Sequence, residues 1–250
     1  MVSIIILVQD RYDIFKRCLD SVIQFTSTPC EIILILQGVT DTRIKQYINS
    51  VENINPNLAF ILADNPINTG VTPGRNQGML MSTGDYILFL DDDAYITNNM
   101  PDIEEGYTEY DWIERMVSEF NKPDVGIVSQ SGSYINPSTP GIFWACNVRH
   151  CECDVGQGYC FMFSKKVFEK IGLLDEYFGK FWHEESEYAL RAKYNGFKVI
   201  NCGYIGVTHY GSNSGDDGTY GLKINYMFNK WSPYFDTILV KRDKWNVKDS

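Results

Sequence analysis

Three consecutive carboxylates, Asp91-Asp92-Asp93, close an apolar run that extends from Tyr86 to Leu90. Asp91 and Asp93 are two residues apart, so both can offer oxygen ligands to one hard divalent cation. Adjacent acids repel one another and are costly inside a core. They fit best where a strand leaves a sheet and a cation balances them; a solvated acidic turn is the other reading. A second group of acids, Glu184, Glu185 and Glu187, follows Phe181-Trp182-His183. The helix dipole alone favours acids at a helix N-terminus, but a carboxylate there can also accept the proton of a hydroxyl nucleophile. Glu187 and Arg191 have the spacing of an ordinary ion pair on a helix surface. Upstream, Asn68-Thr69-Gly70 and Gly74-Arg75-Asn76-Gln77-Gly78 combine glycines that allow close backbone approach with an arginine that can meet a phosphate or a carboxylate. A plain turn followed by a helix explains Gly70 and Gly74 equally well.

Hydrophobic periodicity supplies the elements that must hold these groups. Residues 2–8, 32–36, 58–62 and 86–90 read as strands, and residues 10–25, 40–51 and 74–81 as helices. Alternation with short links implies a parallel, doubly wound α/β sheet, whose ligand crevice lies at the carboxyl ends of the strands. The three acids sit at such an end. Beyond Asp93 the pattern loosens. Residues 98–110 and 131–141 read as loops and residues 112–120 as a helix. Residues 125–129, 142–145, 159–163, 198–201 and 204–209 read as strands, and 165–171, 185–195 and 222–231 as helices. Residues 211–221 hold four glycines, two serines and two aspartates, the composition of a mobile loop. A single domain is expected, with residues 1–95 as a nucleotide-binding half, residues 96–221 as a catalytic and acceptor half, and residues 222–250 as a helix and a charged tail.

Composition narrows the function classes. The chain has 250 residues, 44% apolar and 14% aromatic, enough for a sizeable core. Its formal charge of −10 argues against an extended basic face for nucleic acid or anionic lipid. No segment reads as a membrane span or a signal peptide. The seven cysteines are an odd number without a secretion signal, which points to reduced thiols and a cytoplasmic chain. Cys146, Cys151, Cys153 and Cys160, with His150 among them, could hold zinc, but their spacing is not a paired CxxC pattern, and ordinary thiols are the better reading.

Taken together, these segments resemble the family 2 glycosyltransferases of the GT-A fold, over most of the chain from Val2 to about Ser214. The resemblance rests on the opening Ser3–Tyr12, on Asn68-Thr69-Gly70 with Gly74–Gly78, and on Gly84–Asp93. It continues through Lys165–Glu176, through Glu184-Glu185-Ser186-Glu187-Tyr188-Ala189-Leu190-Arg191 against the family's Glu-Asp-x-Asp-x-x-x-Arg, and through Val207-Thr208-His209. It implies a Rossmann-like, mostly parallel sheet with a smaller mixed sheet and acceptor-side elements. It further implies a nucleotide-diphosphate sugar donor and a Mn²⁺ or Mg²⁺ cofactor. Asp93 and His209 would be metal ligands, with Asp91 on the metal or the ribose. Val8, Asp10, Gln37, Asn68, Gly70, Arg75, Asn76, Asp91 and Asp92 would line the donor site. Glu185 would be the general base of an inverting transfer, Glu184 would orient it or hold the acceptor, and Trp182 could stack on a sugar. Read without the resemblance, His209 is a strand-end histidine and Trp182 a core residue.

Two departures bear on specificity. Gln37 stands where the family usually carries an Asp that reads the base, which leaves the uridine preference open. Glu185 replaces an Asp and lengthens the base by one methylene, which leaves a retaining geometry open. The residues 211–221 are expected to close over the diphosphate. A non-catalytic nucleotide-sugar or glycan binder on the same fold and a nucleotidyltransferase are the rival readings. The acceptor could be a surface polysaccharide, a lipid-linked glycan or a protein, with the chain cytoplasmic or peripheral at the inner membrane surface.

Overall fold

The first half of the chain alternates strand and helix: β1 (Val2–Val8), α1 (Tyr12–Phe25), β2 (Cys30–Gln37), α2 (Thr42–Val51), β3 (Leu58–Asn65), α3 (Val71–Met81) and β4 (Tyr86–Leu90). This is a computed structural model, and it describes residues 1–97, 111–141, 143–211 and 218–241. β1 and β2 are apolar on both faces because helices cover the sheet from both sides. The second half adds β5 (Ala94–Ile96), α4 (Trp112–Glu119), β6 (Val125–Ser129), β7 (Gly132–Ile135), β8 (Phe143–Ala145), β9 (His150–Cys153), β10 (Val155–Gly156) and β11 (Cys160–Ser164). It continues with α5 (Lys165–Ile171), α6 (Glu184–Tyr194), β12 (Lys198–Cys202), β13 (Val207–His209) and α7 (Tyr220–Trp231).

The main sheet has the order β3-β2-β1-β4-β11-β6-β12-β9. Its first four strands are parallel, as the alternation predicts. β11 then runs antiparallel to both β4 and β6, and β9 antiparallel to β12, so the sheet as a whole is mixed. Two small antiparallel sheets accompany it, β10-β7-β8 and β13-β5.

Several boundaries differ from the sequence expectation. Residues 131–141, expected as a loop from their Ser, Gly and Pro, contain β7, whose register is set by pairing with β8 and β10. Local composition carries no signal for such partners. α3 starts at Val71, three residues early, with Pro73 in its first turn, where a missing N–H leaves no bond unmade. β13 is shorter than expected, and β5 and β9 were not anticipated. Most of residues 98–110 and 211–221, the charged tail and Ile142 lie outside the described residues; Tyr220 and Gly221 already belong to α7.

A column of aromatic rings ties the strands to the helix that carries the second group of acids. Phe89 of β4 meets Phe163 of β11 at 5.2 Å between ring centres, and Phe163 meets Tyr188 of α6 at 5.1 Å. Each such contact contributes about 0.5–1.5 kcal/mol beyond area burial. α7 fastens the other side of α6. Its Lys230 reaches Glu187, fully buried on α6, and Asp175 ahead of that helix, each at 2.9 Å. Tyr226 also donates to Asp175. Removing one partner of a buried carboxylate is costly because the remaining charge loses its compensation.

Lys230→Met, which keeps the aliphatic stem, is therefore expected to lower stability by about 1–3 kcal/mol in urea unfolding, leaving Glu187 with Arg191 alone. A change of less than about 0.5 kcal/mol, the ordinary range for surface substitutions, would show that α7 does not clamp α6 through this pair.

Candidate active site

β4 ends at Leu90 because the next three residues are carboxylates that the core cannot hold together, and the chain turns there to place each one differently. The Asp91 amide donates to the Tyr159 carbonyl at 3.0 Å, opposite the start of β11. β5 then pairs with β13, setting Ala94 across from His209. This ladder brings His209 Nε2 to 3.0 Å from the Asp93 carboxylate and 3.9 Å from that of Asp91. One ligand atom from each of Asp91, Asp93 and His209 lies within 4.8 Å of the other two, the only such group among the described residues. The hydrogen bond to Asp93 raises the His209 pKa against the opposing effect of burial. The Tyr159 ring stacks on the imidazole at 4.7 Å with planes 2° apart, fixing its orientation.

Asp92 points elsewhere. It is 3% exposed, pairs with Arg11 and accepts from the Gln9 amide. Burial pushes its pKa up to about 7, with Arg11 opposing and Asp91 and Asp93 adding to the rise. Its role in this geometry is to hold the start of α1 against the turn.

The second group of acids is tied to the first through Arg75. This buried guanidinium donates to Glu184 at 2.6 Å, to Asp91 at 2.8 Å and to the Gly158 carbonyl at 2.9 Å, with its plane over the Phe89 ring at 4.7 Å. Burial works against its charge, and the carboxylates of Asp91, Glu184 and Glu185 outweigh that effect and hold it protonated. Glu185 follows on the first turn of α6, where burial first and the Glu184 carboxylate second push its pKa well above the ordinary carboxylate range. Ahead of it the backbone is strained, since Trp182 and His183 both have positive φ, +72° and +71°. Side chains carry a steric cost in that region.

Other residues expected at a donor site have their polar groups spent within the protein. Val8 is buried at the end of β1. Asp10 accepts from Thr40 and the Asp41 amide, which lowers its pKa, Thr40 first. Gln37 is buried with its carboxamide closed on Thr69 and the Gly70 carbonyl, and it packs where a Cβ on Gly74 would lie 2.1 Å away. Asn68 caps the Gly70 amide. Gly70 has φ +100°, and a Cβ there would meet the Lys180 backbone at 3.0 Å. Asn76 clamps α3 to Leu174 and Glu176. These bonds tie the residues into the frame around the cavity, which opens between the acids.

That cavity has a volume of about 450 Å³ and joins Asp91, Arg75 and His209 to Glu184, Glu185 and Trp182. Five residues in or behind its wall were not singled out from sequence. Arg11 holds Asp92, Tyr159 stacks on His209, and Phe143, His183 and Tyr220 form an aromatic group near Trp182. Gly158 was also missed. A Cβ there would lie 2.9 Å from Arg75 and 3.3 Å from Glu185, so only glycine lets this loop approach them. The stretch Gly156-Gln157-Gly158 was the available signal. All seven cysteines are free thiols. His150 bonds to Glu119 and Cys160 faces Met116 in the core, so the thiols do not gather with His150 as a zinc site would require.

The named charges suit a cation. Three carboxyls, Asp91, Asp93 and Glu184, and two whose pKa values are raised, Asp92 and Glu185, stand against two guanidiniums, Arg11 and Arg75. Two carboxylates with one imidazole form a donor set compatible with Mn²⁺, and the oxygens also suit Mg²⁺.

The sequence matches Glycosyl transferase family 2 over residues 3–172. It is 27% identical over 118 residues to a glucosyl-dolichyl phosphate glucuronosyltransferase of Haloferax volcanii, covering 46% of this chain and 32% of that one. It is 22% identical over 242 residues to the O-antigen biosynthesis protein RfbC of Myxococcus xanthus, covering 85% and 17%. The chain thus spans between 17% and 36% of the length of these relatives and of the glycosyltransferase YibD of Escherichia coli. Among solved structures, the mannosyltransferase PcManGT of Pyrobaculum calidifontis, in complex with GDP-Man and Mn²⁺, superposes with a TM-score of 0.63 at 16% identity, over 86% of this chain and 58% of that one. GalNAc-T7 with UDP, GalNAc and Mn²⁺ gives 0.66 at 15% identity, over 84% and 43%. No helix among the described residues is long and apolar enough to cross a membrane. The chain has the GT-A fold and belongs to glycosyl transferase family 2.

Proposed function

We propose that the chain is a metal-dependent glycosyltransferase that moves a sugar from a nucleotide-diphosphate donor to an acceptor hydroxyl with inversion, using Glu185 as the base. The observation that carries this reading is one cavity that joins the Asp91–Asp93–His209 cluster to the raised carboxyl of Glu185. Mn²⁺ or Mg²⁺ held by Asp91, Asp93 and His209 would offset negative charge on the departing diphosphate.

The remaining work falls to the side chains. Tyr159 and Asp93 hold His209 in place. Arg75 holds Asp91 and Glu184 in place through its two ion pairs. Glu185, whose proton affinity is raised by burial and by Glu184, takes the proton of the acceptor hydroxyl as that oxygen bonds to the anomeric carbon. The glycosidic oxygen leaves with the bond electrons on the nucleoside diphosphate. Gln37 is closed on Thr69 and Gly70, so the base is read by other groups, and UDP-sugars and GDP-sugars are both candidates.

Glu185→Gln is expected to cut transfer by about 10²–10⁴-fold while nucleotide-sugar binding persists. In the native chain the rate should fall as pH drops through the raised Glu185 pKa, because the basic form is lost there. Normal turnover by Glu185→Gln, or a rate that stays level down to the usual carboxylate pKa, would remove Glu185 as base. The three aspartates should also separate in a Mn²⁺ titration. Asp93→Asn is expected to weaken binding by more than about 100-fold and Asp92→Asn by about tenfold or less, as for a residue that acts through Arg11. Equal losses would contradict the division of labour between them.

A further inference from the structure

Three of the seven thiols meet at one glycine of β7. Cys146 follows β8 and donates its amide to the Gly132 carbonyl at 2.9 Å. Cys153 of β9 packs against the same glycine, with its Sγ 2.6 Å from where a Cβ on Gly132 would lie. Cys151 and Cys153 are two apart on β9 and so share a face of that strand. The Cys146 thiol hydrogen-bonds with the thiols of both. Neighbouring groups are engaged elsewhere, His150 with Glu119 and Glu152 with Lys193. The donors gathered at Gly132 are sulfur. The other four cysteines are buried in the core.

The surroundings suit bound thiolates. Tyr134 donates its hydroxyl to Cys151 Sγ at 3.3 Å, and the Asn201 carboxamide bonds to the same sulfur. Outer partners of this kind orient a metal ligand and tune it. Cys146 and Cys151 are half-buried, and a cavity of about 300 Å³ opens onto Cys146 between Asn147, Val148, Gln157 and Asn201. The bond with Cys151 lowers the Cys146 pKa, but the bond with Cys153 and burial outweigh it and push the thiol up to about 12. The bond with Cys146, then burial, raises Cys151. Thiolate is therefore scarce for attack on a peroxide or a disulfide, which disfavours an oxidation switch. A metal ion escapes that limit because it deprotonates a coordinating thiol outright. Sulfur donors select soft ions such as Zn²⁺ or Cu(I) over Mg²⁺ and Mn²⁺.

We propose that Cys146, Cys151 and Cys153 form a site for one thiophilic metal ion, separate from the Asp91, Asp93 and His209 group. The three sulfurs are more spread than that group, whose ligand atoms all lie within 4.8 Å of one another, so three-fold ligation turns the Cys151 or Cys153 side chain toward Cys146. The ion joins the end of β8 to β9 across Gly132. From Cys153 the chain runs through β10 to Gly156-Gln157-Gly158, and Gln157 lies in the wall of both cavities. Metal binding thus braces the loop that brings Gly158 to Arg75. The inference is independent of the transfer reaction.

Titration of the full chain with Cd²⁺, after reduction with a phosphine and removal of metals by a chelator, tests this. Cd²⁺ should produce the ultraviolet charge-transfer absorption of a cadmium thiolate, saturating at one ion per chain, and Mn²⁺ should produce none. Losing a supporting partner of a metal ligand costs about 10–100-fold in affinity. Cys146→Ser and Cys151→Ser each remove a ligand and should weaken Cd²⁺ by about 100-fold or more. Asp93→Asn should leave the absorption and the affinity unchanged. Near-ultraviolet circular dichroism checks that each variant is folded. Alkylation of the native chain gives a second reading that needs no variant. Cd²⁺ should protect Cys146 and Cys151 from iodoacetamide, as read by mass spectrometry. The proposal is overturned by the absence of the absorption, by its persistence at native affinity in folded Cys146→Ser and Cys151→Ser, by its loss in Asp93→Asn, or by alkylation of both thiols at the same rate with and without Cd²⁺.

Discussion

The buried guanidinium of Arg75 is the interaction on which the site depends. It reaches Asp91 at the end of β4, Glu184 at the start of α6 and the Gly158 carbonyl ahead of β11, while its plane rests on Phe89 in the sheet. Three segments distant in sequence are thus fixed by one planar group. A cation taken out of water is costly unless carboxylates compensate it, and the acids are equally costly without the cation. Each therefore enforces the position of the other. Gly158 is the geometric condition for this, since any side chain there would displace the guanidinium. The aromatic column through Phe89, Phe163 and Tyr188 supplies the rigid support.

Neighbouring carboxyls acquire different characters from their surroundings. Asp91 and Asp93 converge with His209 on a place for a cation. Asp92, adjacent to both, turns into the protein and pairs with Arg11. Glu184 is held by Arg75, and its charge, added to burial, keeps the neighbouring Glu185 a comparatively strong base. On the proposed reading, environment alone would separate cation ligand, structural acid and base among groups that are all carboxyls. The strained turn at Trp182 and His183 belongs to the same design, because it sets the start of α6 and is itself held by Lys223 from α7.

Much of this was legible in the chain. The strand–helix alternation gave the four parallel strands, and an apolar strand ending in Asp91-Asp92-Asp93 marked the crevice. The order of Arg75, Glu185 and His209 around it carried the family resemblance. What could not be read depends on contacts far apart in sequence. Gln37 stands where the family's base-reading Asp is expected, and that its carboxamide bonds to Thr69 and the Gly70 carbonyl is set by a turn remote in sequence. Asp10 is likewise consumed by Thr40 and Asp41. Tyr159 becomes part of the site only because β11 runs antiparallel to β4, a pairing that local pattern does not encode. β7 hid in a stretch rich in turn residues because its partners, not its composition, make it a strand.

The central claim is that a divalent cation at Asp91, Asp93 and His209 and the nucleotide-sugar donor occupy one coupled site. Thermal unfolding across a panel of UDP-sugars and GDP-sugars, with and without Mn²⁺, measures that coupling directly. The account predicts that at least one nucleotide-sugar raises the melting temperature markedly when Mn²⁺ is present and little when it is absent, because the excess negative charge of the site repels an uncompensated diphosphate. A shift of equal size with and without the metal, or no shift with any nucleotide-sugar in its presence, would contradict it.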